Sequence, residues 1–294
     1  MRSPAKRPAK KVPARCVLTT IQSFVAMPFF TTRHHTLHYI TVGDAQRPAL
    51  LMLHGFLGSH QDFEGVLPAL SEYFCCIVPD LPGHGQTLTQ PNQYTFPSTC
   101  ASLLSLLDEL NYQQVYLLGY SMGGRLALYM ACHAPGRFLH AILESASPGL
   151  KTLAERRERE KKDWAIAQKL ETMPLSKFLD NWYKNELFSS LKKRPELYRE
   201  MRSRRETNNS TGLANALRGF STGLQPSLWE SLLELAVPLL LIVGEQDTKF
   251  FRIAEDIKAR NQQFEIRCCS NCGHNVHLES SEQYVQLIVE TVCH

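Results

Sequence analysis

The stretch Val115-Tyr116-Leu117-Leu118-Gly119-Tyr120-Ser121-Met122-Gly123-Gly124 decides the fold. A short apolar run, typical of a buried strand, leads into Gly-x-Ser-x-Gly, and a helix-period pattern follows directly. In that context the serine needs strained backbone angles, and the flanking glycines remove Cβ atoms that would collide. The amides at the start of the helix favour an anion beside the serine. Strand, elbow and helix together favour an activated serine over a turn without chemistry.

On both sides of this elbow, short apolar runs alternate with helix-period segments, as in βα units around a buried parallel sheet. Strands are predicted at 36–42, 49–54, 75–79, 115–119, 139–144, 239–244 and 264–268. Helices are predicted at 63–70, 98–110, 122–133, 227–235, 251–260 and 282–292. The alternation stops at residues 151–223, which are charged and helical in pattern. The chain is therefore predicted to have an α/β-hydrolase fold, with a mostly parallel central sheet, a core of residues 34–150 and 224–294, and a helical cap of residues 151–223.

Composition limits the function classes. The 294 residues are 44% hydrophobic and 20% charged, which suits one large α/β domain with an insertion. No apolar run approaches the roughly 18 to 20 residues of a membrane span, and a net charge of +4 is too small to indicate nucleic acid. The nine cysteines lack the spacing of a disulfide framework. We expect a cytoplasmic protein with reduced thiols, no cofactor, no membrane span and no nucleic-acid partner; the oligomeric state stays open.

Residues 1–33 differ from the rest of the chain. They contain seven Lys or Arg and no acid, and they are predicted to be a disordered basic extension. Three interpretations compete: a targeting peptide, a basic tail, or a start codon assigned too early. We favour the last, because Met27 stands just before the first convincing strand.

A serine nucleophile or base needs a histidine, and the histidine needs a carboxylate that holds its tautomer. In this fold the chain order is serine, acid, histidine. Asp247 and His274 each follow a predicted strand, at the sheet edge where such side chains meet. For Asp247 the alternative is a helix N-cap. For His274 the rival base is His277; we favour His274 because Gly273 lets the loop present it.

A zinc site is the competing interpretation of the same region. The cluster combines thiols with imidazoles at Cys268, Cys269, Cys272, His274 and His277. Cys268 and Cys269 are neighbours on a predicted strand, so their side chains point to opposite faces. We therefore expect no metal here.

An oxyanion hole in this fold uses the amide after the nucleophile and a second amide from the loop after an early strand. Met122 and Phe56 occupy those positions. His54, in Leu53-His54-Gly55-Phe56, and His84, in Pro82-Gly83-His84-Gly85, are interpreted as histidines that brace loops rather than as catalytic groups.

Arg125 lies four residues after Ser121, one helical turn on and on roughly the same face. An unpaired guanidinium is costly to bury beside a neutral substrate, so this position indicates an anionic one. The alternative is an internal salt bridge, with Glu144 as the partner. The cap adds positive charge, since residues 151–206 hold sixteen Lys or Arg against ten Asp or Glu. Most of those charges suit a solvated helix face, and one or two suffice to clamp a carboxylate.

From about residue 51 to residue 278 the chain resembles the 2-succinyl-6-hydroxy-2,4-cyclohexadiene-1-carboxylate synthases of menaquinone and phylloquinone biosynthesis. The elbow alone is shared with many hydrolases, whereas Gly-Gly-Arg, Pro-Gly-Leu and Trp-Tyr in combination are more specific. The motifs that carry the resemblance are Leu53-His54-Gly55-Phe56, Asp80-Leu81-Pro82-Gly83-His84-Gly85, Gly119-Tyr120-Ser121-Met122-Gly123-Gly124-Arg125, Ser147-Pro148-Gly149-Leu150, Asp180-Asn181-Trp182-Tyr183, Gln225-Pro226 and Gly244-Glu245-Gln246-Asp247-Thr248-Lys249-Phe250.

The resemblance implies a lyase that eliminates pyruvate from 2-succinyl-5-enolpyruvyl-6-hydroxy-3-cyclohexene-1-carboxylate, with Ser121 as a base rather than an acylated nucleophile. It also implies substrate-binding residues. These are three arginines, Arg125, Arg159 and Arg205, and the aromatic residues Tyr120, Trp182 and Phe188. Arg202 and Arg204 are close enough to Arg205 that one gap would change the choice. The alternatives are a serine hydrolase of an anionic ester or of a carbon-carbon bond, and a non-catalytic scaffold, which an intact triad disfavours.

Overall fold

The computed structural model describes residues 28–293. Most of the predicted basic extension, with Met27, lies outside the described residues. The prediction that disorder extends to residue 33 is wrong, because Phe29–Thr31 forms a strand that pairs antiparallel with His35–Val42. Phe30 packs against the main hydrophobic core, and this burial orders the segment.

A single twisted sheet runs through the described part. Its strands are β1 (Phe29–Thr31), β2 (His35–Val42), β3 (Ala49–Leu53), β4 (Cys75–Pro79), β5 (Leu88–Thr89), β6 (Val115–Tyr120), β7 (Phe138–Glu144), β8 (Leu239–Gly244) and β9 (Glu265–Cys269). The order is β1-β2-β4-β3-β6-β7-β8-β9, and β5 pairs with β2. Pairing is parallel from β4 through β3 to β9, and antiparallel wherever β2 takes part. The predicted mostly parallel sheet is confirmed.

The helices cover both faces of the sheet and build the cap. They are α1 (Leu67–Leu70), α2 (Phe96–Glu109), α3 (Met122–His133), α4 (Leu153–Thr172), α5 (Leu175–Trp182), α6 (Ser189–Lys192), α7 (Pro195–Arg205), α8 (Ser210–Gly219), α9 (Thr248–Arg260), α10 (Val276–Glu279) and α11 (Ser281–Val292). Short 3-10 turns lie at His60–Phe63, Pro135–Arg137, Glu186–Phe188 and Ser231–Leu233. Within residues 28–293, no helix has the length and apolarity required to cross a bilayer.

Alternate residues of the central strands enter two separate hydrophobic layers. In β8, for example, Leu239 and Leu241 pack on one side of the sheet, and Leu240 and Ile242 on the other. Successive side chains of a strand point to opposite faces, so a strand covered on both faces must be apolar throughout. This is why continuous apolar runs predicted these strands to within one or two residues.

The cap has a hydrophobic core of its own. Residues from α4, α5, α7 and α8 bury one another, including Leu170, Phe178, Met201 and Leu213. Helix α4 begins in a capping box, in which Thr152 and Glu155 each satisfy the other's backbone amide. The described cap residues 151–223 contain no strand, as the break in the alternation predicted.

Two predicted helices are corrected. In 63–70 only Leu67–Leu70, helix α1, is α-helical, because Pro68 lacks the amide proton that a helix starting at Phe63 would need there. In 227–235 only the 3-10 turn Ser231–Leu233 is helical. There the amide of Leu228 donates to the Pro148 carbonyl at 2.8 Å, and the indole of Trp229 donates to the Gly149 carbonyl at 2.8 Å. These bonds to a distant loop replace helical ones.

Candidate active site

The elbow at Ser121 has the predicted strained geometry. Ser121 has φ 49° and ψ −104°, and residues other than glycine rarely adopt a positive φ. A Cβ on Gly119 would lie 2.4 Å from the Gly123 carbonyl oxygen, and a Cβ on Gly123 would lie 2.1 Å from the Leu53 carbonyl oxygen. Helix α3 thus packs directly onto β3, and the serine is lifted above the edge of the sheet.

Three side chains form a hydrogen-bonded chain at the carboxyl edge of the sheet. The Nε2 atom of His274 lies 3.1 Å from the Ser121 hydroxyl, and its Nδ1 lies 2.7 Å from Asp247 Oδ2. The Ser145 hydroxyl donates to the same carboxylate oxygen at 2.9 Å. Asp247 occupies the N-cap position of α9, but its side chain does not cap the helix. The N-cap alternative for Asp247 is therefore wrong.

His277, the rival base, is paired with Glu144 and not with Ser121. Its Nδ1 lies 2.8 Å from both carboxylate oxygens of Glu144, and both side chains are fully buried. The ring of Tyr120 lies against it, with centroids 4.7 Å apart. The geometry places His274, not His277, against Ser121.

The two amides expected to form an oxyanion hole are those of Phe56 and Met122, and both residues line the cavity beside Ser121. Within residues 28–293, neither amide donates a hydrogen bond to another group of the protein. The loop that carries Phe56 is held from outside: the Leu57 amide donates to His84 Nε2 at 3.1 Å, and Asn208 Nδ2 donates to the Leu57 carbonyl at 2.9 Å. Two amide donors of residues that line the cavity beside the serine are thus left without a partner in the described part of the protein.

His54 and His84 brace loops, as predicted. The Nε2 atom of His54 accepts the Leu81 amide at 2.9 Å, as His84 accepts the Leu57 amide. Burial lowers the pKa of His54, and burial together with His54 lowers the pKa of His84 to about 3. Both rings are therefore neutral at pH 7 and free to accept those amides.

This depressed pKa predicts a loss of stability in acid. The unfolded state, with a histidine pKa of 6.5, takes up a proton before folded His84 does, so stability present above about pH 6.5 is lost as the pH falls towards 3. The expected slope is about 1.4 kcal/mol per pH unit for this group. In His84→Gln the glutamine keeps an acceptor for the Leu57 amide but does not titrate. We therefore expect its free energy of unfolding, measured in urea, to fall by about 1 to 2 kcal/mol less than that of wild type between pH 7 and pH 5. Equal losses in the two proteins would contradict the assignment.

One cluster of possible metal ligands in the described part of the chain lies outside the serine site. Within residues 28–293, only His38, His60 and Asp80 bring such atoms within 4.8 Å of one another, so the thiols of the predicted alternative, Cys268 and its neighbours, do not converge. Asp80 accepts four hydrogen bonds, from both imidazoles and from the amides of His60 and Gln86. These bonds use the lone pairs of the carboxylate, and we interpret the cluster as an anchor for the loop after β4.

A cavity of about 840 Å³ opens over Ser121, between the sheet edge and the cap. Its lining carries four cations, Arg125, Arg159, Arg205 and Lys249, against two acids, Asp247 and Glu186. The lining is therefore positive, and it suits an anionic ligand.

Arg125 is bonded to neutral acceptors only. Its guanidinium donates to Gln225 Oε1 at 3.1 Å and to the Phe220 carbonyl at 2.8 Å, and within the described part of the chain it forms no ion pair. The predicted alternative, a salt bridge to Glu144, is wrong because Glu144 is paired with His277. Burial, and then the charge of Arg159, lower the pKa of Arg125 to about 10, which leaves it charged at pH 7.

Arg159, in α4, and Lys249, in α9, both line the cavity. Arg159 pairs with the buried Asp163 at 2.8 Å, and Asp163 also accepts the Ser221 hydroxyl at 2.7 Å. Burial and the charge of Arg159 lower the pKa of Lys249. Lys249 is not among the predicted site residues, although it follows Asp247 by two residues at the same strand end, a position that indicates a place in this cavity.

The structure separates Arg205 from its neighbours. Arg202 pairs with Asp180 and Glu206 at the surface, and Arg204 pairs with Glu64. Arg205 lines the cavity, but its charge is compensated by the buried Asp62 at 3.0 Å, and it donates to the Phe56 carbonyl at 3.0 Å. Arg205 therefore holds the loop that carries Phe56.

The predicted aromatic residues Tyr120, Trp182 and Phe188 all line the cavity. The Trp182 ring lies 5.4 Å from Phe56, and the Phe188 ring lies 6.1 Å from His274. They give the cavity an aromatic lining beside the serine.

Residues 48–281 match the family model described as the alpha/beta hydrolase fold. The chain is 39% identical over 245 residues to the putative 2-succinyl-6-hydroxy-2,4-cyclohexadiene-1-carboxylate synthase of Bacillus subtilis (strain 168), covering 82% of this chain and 89% of that protein. It is 32% identical to the synthase of that name from Serratia proteamaculans (strain 568), covering 82% and 92%. The solved structure of MenH from S. aureus superposes with a TM-score of 0.81 at 31% identity, covering 88% of this chain and 97% of that one. The chain therefore belongs to the 2-succinyl-6-hydroxy-2,4-cyclohexadiene-1-carboxylate synthase family, within the α/β-hydrolase fold.

Proposed function

We propose that this protein is a lyase of menaquinone or phylloquinone biosynthesis, which eliminates pyruvate from 2-succinyl-5-enolpyruvyl-6-hydroxy-3-cyclohexene-1-carboxylate. The observation that carries the proposal is Arg125, a charged guanidinium four residues from Ser121 whose described partners are all neutral. Enclosing such a charge is costly unless an anion compensates it. A polycarboxylate substrate supplies that anion, whereas a simple neutral ester does not.

In the proposed reaction Ser121 is the base. As His274 Nε2 takes the hydroxyl proton, the serine oxygen removes a proton from the ring carbon that carries the succinyl ketone. That carbon's electron pair forms a new ring double bond, the existing double bond moves one position, and the carbon-oxygen bond to the enolpyruvyl group breaks. The proton held by His274 returns to the departing enolpyruvate and gives pyruvate. Asp247 stabilises the imidazolium, as its 2.7 Å contact with Nδ1 allows.

The negative charge that develops on the succinyl ketone oxygen needs donors placed in advance. We assign that role to the amides of Phe56 and Met122. Arg125 and Arg159 bind the substrate carboxylates, Lys249 adds positive charge, and Tyr120, Trp182 and Phe188 pack against the ring. Arg205 supports the site chiefly by holding the Phe56 loop, because both of its terminal nitrogens already donate, to the Phe56 carbonyl and to Asp62, whereas Arg159 bonds Asp163 through Nε.

One assay tests the proposal. The purified protein is mixed with the cyclohexene substrate, and pyruvate is followed through a coupled dehydrogenase. We expect pyruvate release well above the spontaneous rate, with one pyruvate per molecule of diene product. Release at the spontaneous rate, together with rapid hydrolysis of simple esters, would contradict the proposal and favour a serine hydrolase of an anionic ester or of a carbon-carbon bond.

We place this activity in the cytoplasm. The eight cysteines of the described part all carry free thiols, including the adjacent pair Cys75 and Cys76. Unpaired thiols in this number are typical of a reducing compartment. Fractionation of cells that express the full chain tests the placement, and recovery in an organelle would instead assign residues 1–27 a targeting role.

A further inference from the structure

Glu279 is a buried carboxylate that the proposed reaction does not use. It lies at the end of α10 with 4% of its surface exposed, and within residues 28–293 it has no cationic partner for its carboxylate. Burying a charged carboxylate is costly unless hydrogen bonds compensate it. The groups that donate those bonds indicate what the side chain does.

Two of the donors flank the candidate base. The amide of Gly273 donates to Glu279 Oε2 at 3.1 Å, and the amide of Asn275 approaches Oε1 at 3.4 Å. His274 lies between them. The carboxylate thus holds the backbone on both sides of His274 by hydrogen bonds. The ring nitrogens of His274 must contact Ser121 and Asp247 at the same time.

The third donor comes from the cap. The hydroxyl of Ser190, in α6, donates to Glu279 Oε1 at 3.0 Å. A Cβ on Gly273 would lie 1.9 Å from that hydroxyl, so the cap touches the histidine loop directly. Arg194 adds hydrogen bonds to the backbone carbonyls of Glu279 and Asn271. The segment 188–194, which begins with the cavity residue Phe188, is therefore bound to the loop that presents His274.

We propose that Glu279 is a positioning residue, which holds His274 within reach of Ser121 and joins the histidine loop to the cap. The proposal rests on His274 as the base and does not depend on which substrate the enzyme takes. Misplacing a proton-transfer group by about 1 Å costs roughly 100-fold in rate. Glu279 bonds none of the residues to which we assign substrate binding, so we expect its loss to act mainly through the base.

The test is Glu279→Gln, with Glu282→Gln as the matched control, since Glu282 is an exposed acid three residues further on. Glutamine keeps the size but places an NH₂ group against one of the amides that the carboxylate accepts. We expect kcat for pyruvate release to fall about 10- to 100-fold while KM changes by less than about threefold. The control should match wild type in both constants.

Labelling of Ser121 by a fluorophosphonate gives a second readout, independent of the cyclohexene substrate. We expect Glu279→Gln to slow labelling by about the same factor as kcat, because both require His274 to activate the serine. A labelling rate equal to that of wild type, or a loss of activity that appears in KM alone, would overturn the proposal. A failure of pyruvate release in wild type, with labelling still slowed in the variant, would count against the proposed substrate only.

Ser190→Ala tests the link to the cap and does not depend on the variant at Glu279 folding. It removes one hydrogen bond and leaves the carboxylate in place, so we expect a smaller fall in the labelling rate, about 3- to 10-fold. Combined with Glu279→Gln it should add little further loss, since both changes remove the same contact. Fully additive losses, or a Ser190→Ala protein that labels as fast as wild type, would overturn the link.

Discussion

Ser121→Ala is expected to lower kcat for pyruvate release by about 10³- to 10⁴-fold while substrate still binds. The change removes the hydroxyl that lies 3.1 Å from His274 Nε2 and leaves the cations of the cavity in place. It also keeps the Cβ, so the strained elbow at φ 49° is preserved. The measurement is the coupled pyruvate assay, with product affinity measured by fluorescence quenching to confirm that the cavity is intact.

His274→Ala should cause a loss of similar size, and the double variant should be no worse than either single one, because the two groups act as a unit. If Ser121→Ala kept more than about a tenth of the wild-type kcat, the proton would have to leave by another route. A stable acyl adduct on Ser121, detected by mass spectrometry during turnover, would contradict its role as a base.

Arg125→Ala is expected to reduce kcat/KM for the polycarboxylate by about 5- to 150-fold, which corresponds to about 1 to 3 kcal/mol for the loss of a charged hydrogen bond. The activity on a small neutral ester should change far less, since no carboxylate is bound in that case. Arg157→Ala is the matched control, because Arg157 is an exposed arginine of the cap helix α4 that does not line the cavity. The measurement is kcat/KM on the polycarboxylate and on the neutral ester for wild type, Arg125→Ala and Arg157→Ala.

The comparison between substrates is necessary because Arg125 also donates to the Phe220 carbonyl and to Gln225. Removing it could loosen the junction between cap and core and so lower every activity. Equal losses on the polycarboxylate and on the neutral ester would therefore mean that Arg125 is structural. Arg125→Lys should recover only part of the loss, since an ammonium cannot bind a carboxylate bidentately.

The sheet could be predicted from the sequence because its signals are local. Strands such as β4 and β8 are buried on both faces, so every residue is apolar and the run ends where the burial ends. The helix pattern after Ser121 likewise gave the bounds of α3. The helix predicted at 227–235 was wrong because its local period competes with tertiary bonds from Leu228 and Trp229 to the loop at Pro148 and Gly149.

The site was predictable only in part. The elbow and the order serine, acid, histidine predicted Ser121, Asp247 and His274. Spacing alone, however, cannot distinguish His274 from His277, a second histidine three residues away. Glu144 decides between them, because it lies at the end of β7 and pairs with His277. Glu279 carried no local signal, since the amides it accepts come from the loop before it and the hydroxyl comes from the cap.

The sequence by itself determined the parallel sheet, the elbow, the cap and the residue types around the serine, because strand burial and the Gly-x-Ser-x-Gly turn depend on residues close together in the chain. Only the tertiary structure decided which charges are compensated. Arg205 pairs with Asp62, which is 143 positions away in the sequence, and Glu144 pairs with His277, which is 133 positions away. Arg125 meets only neutral acceptors within the described residues. A charge is compensated by the polar and charged groups that the fold places within about 3 Å of it. Those groups are distant in the sequence, so the residues next to the charge do not identify them.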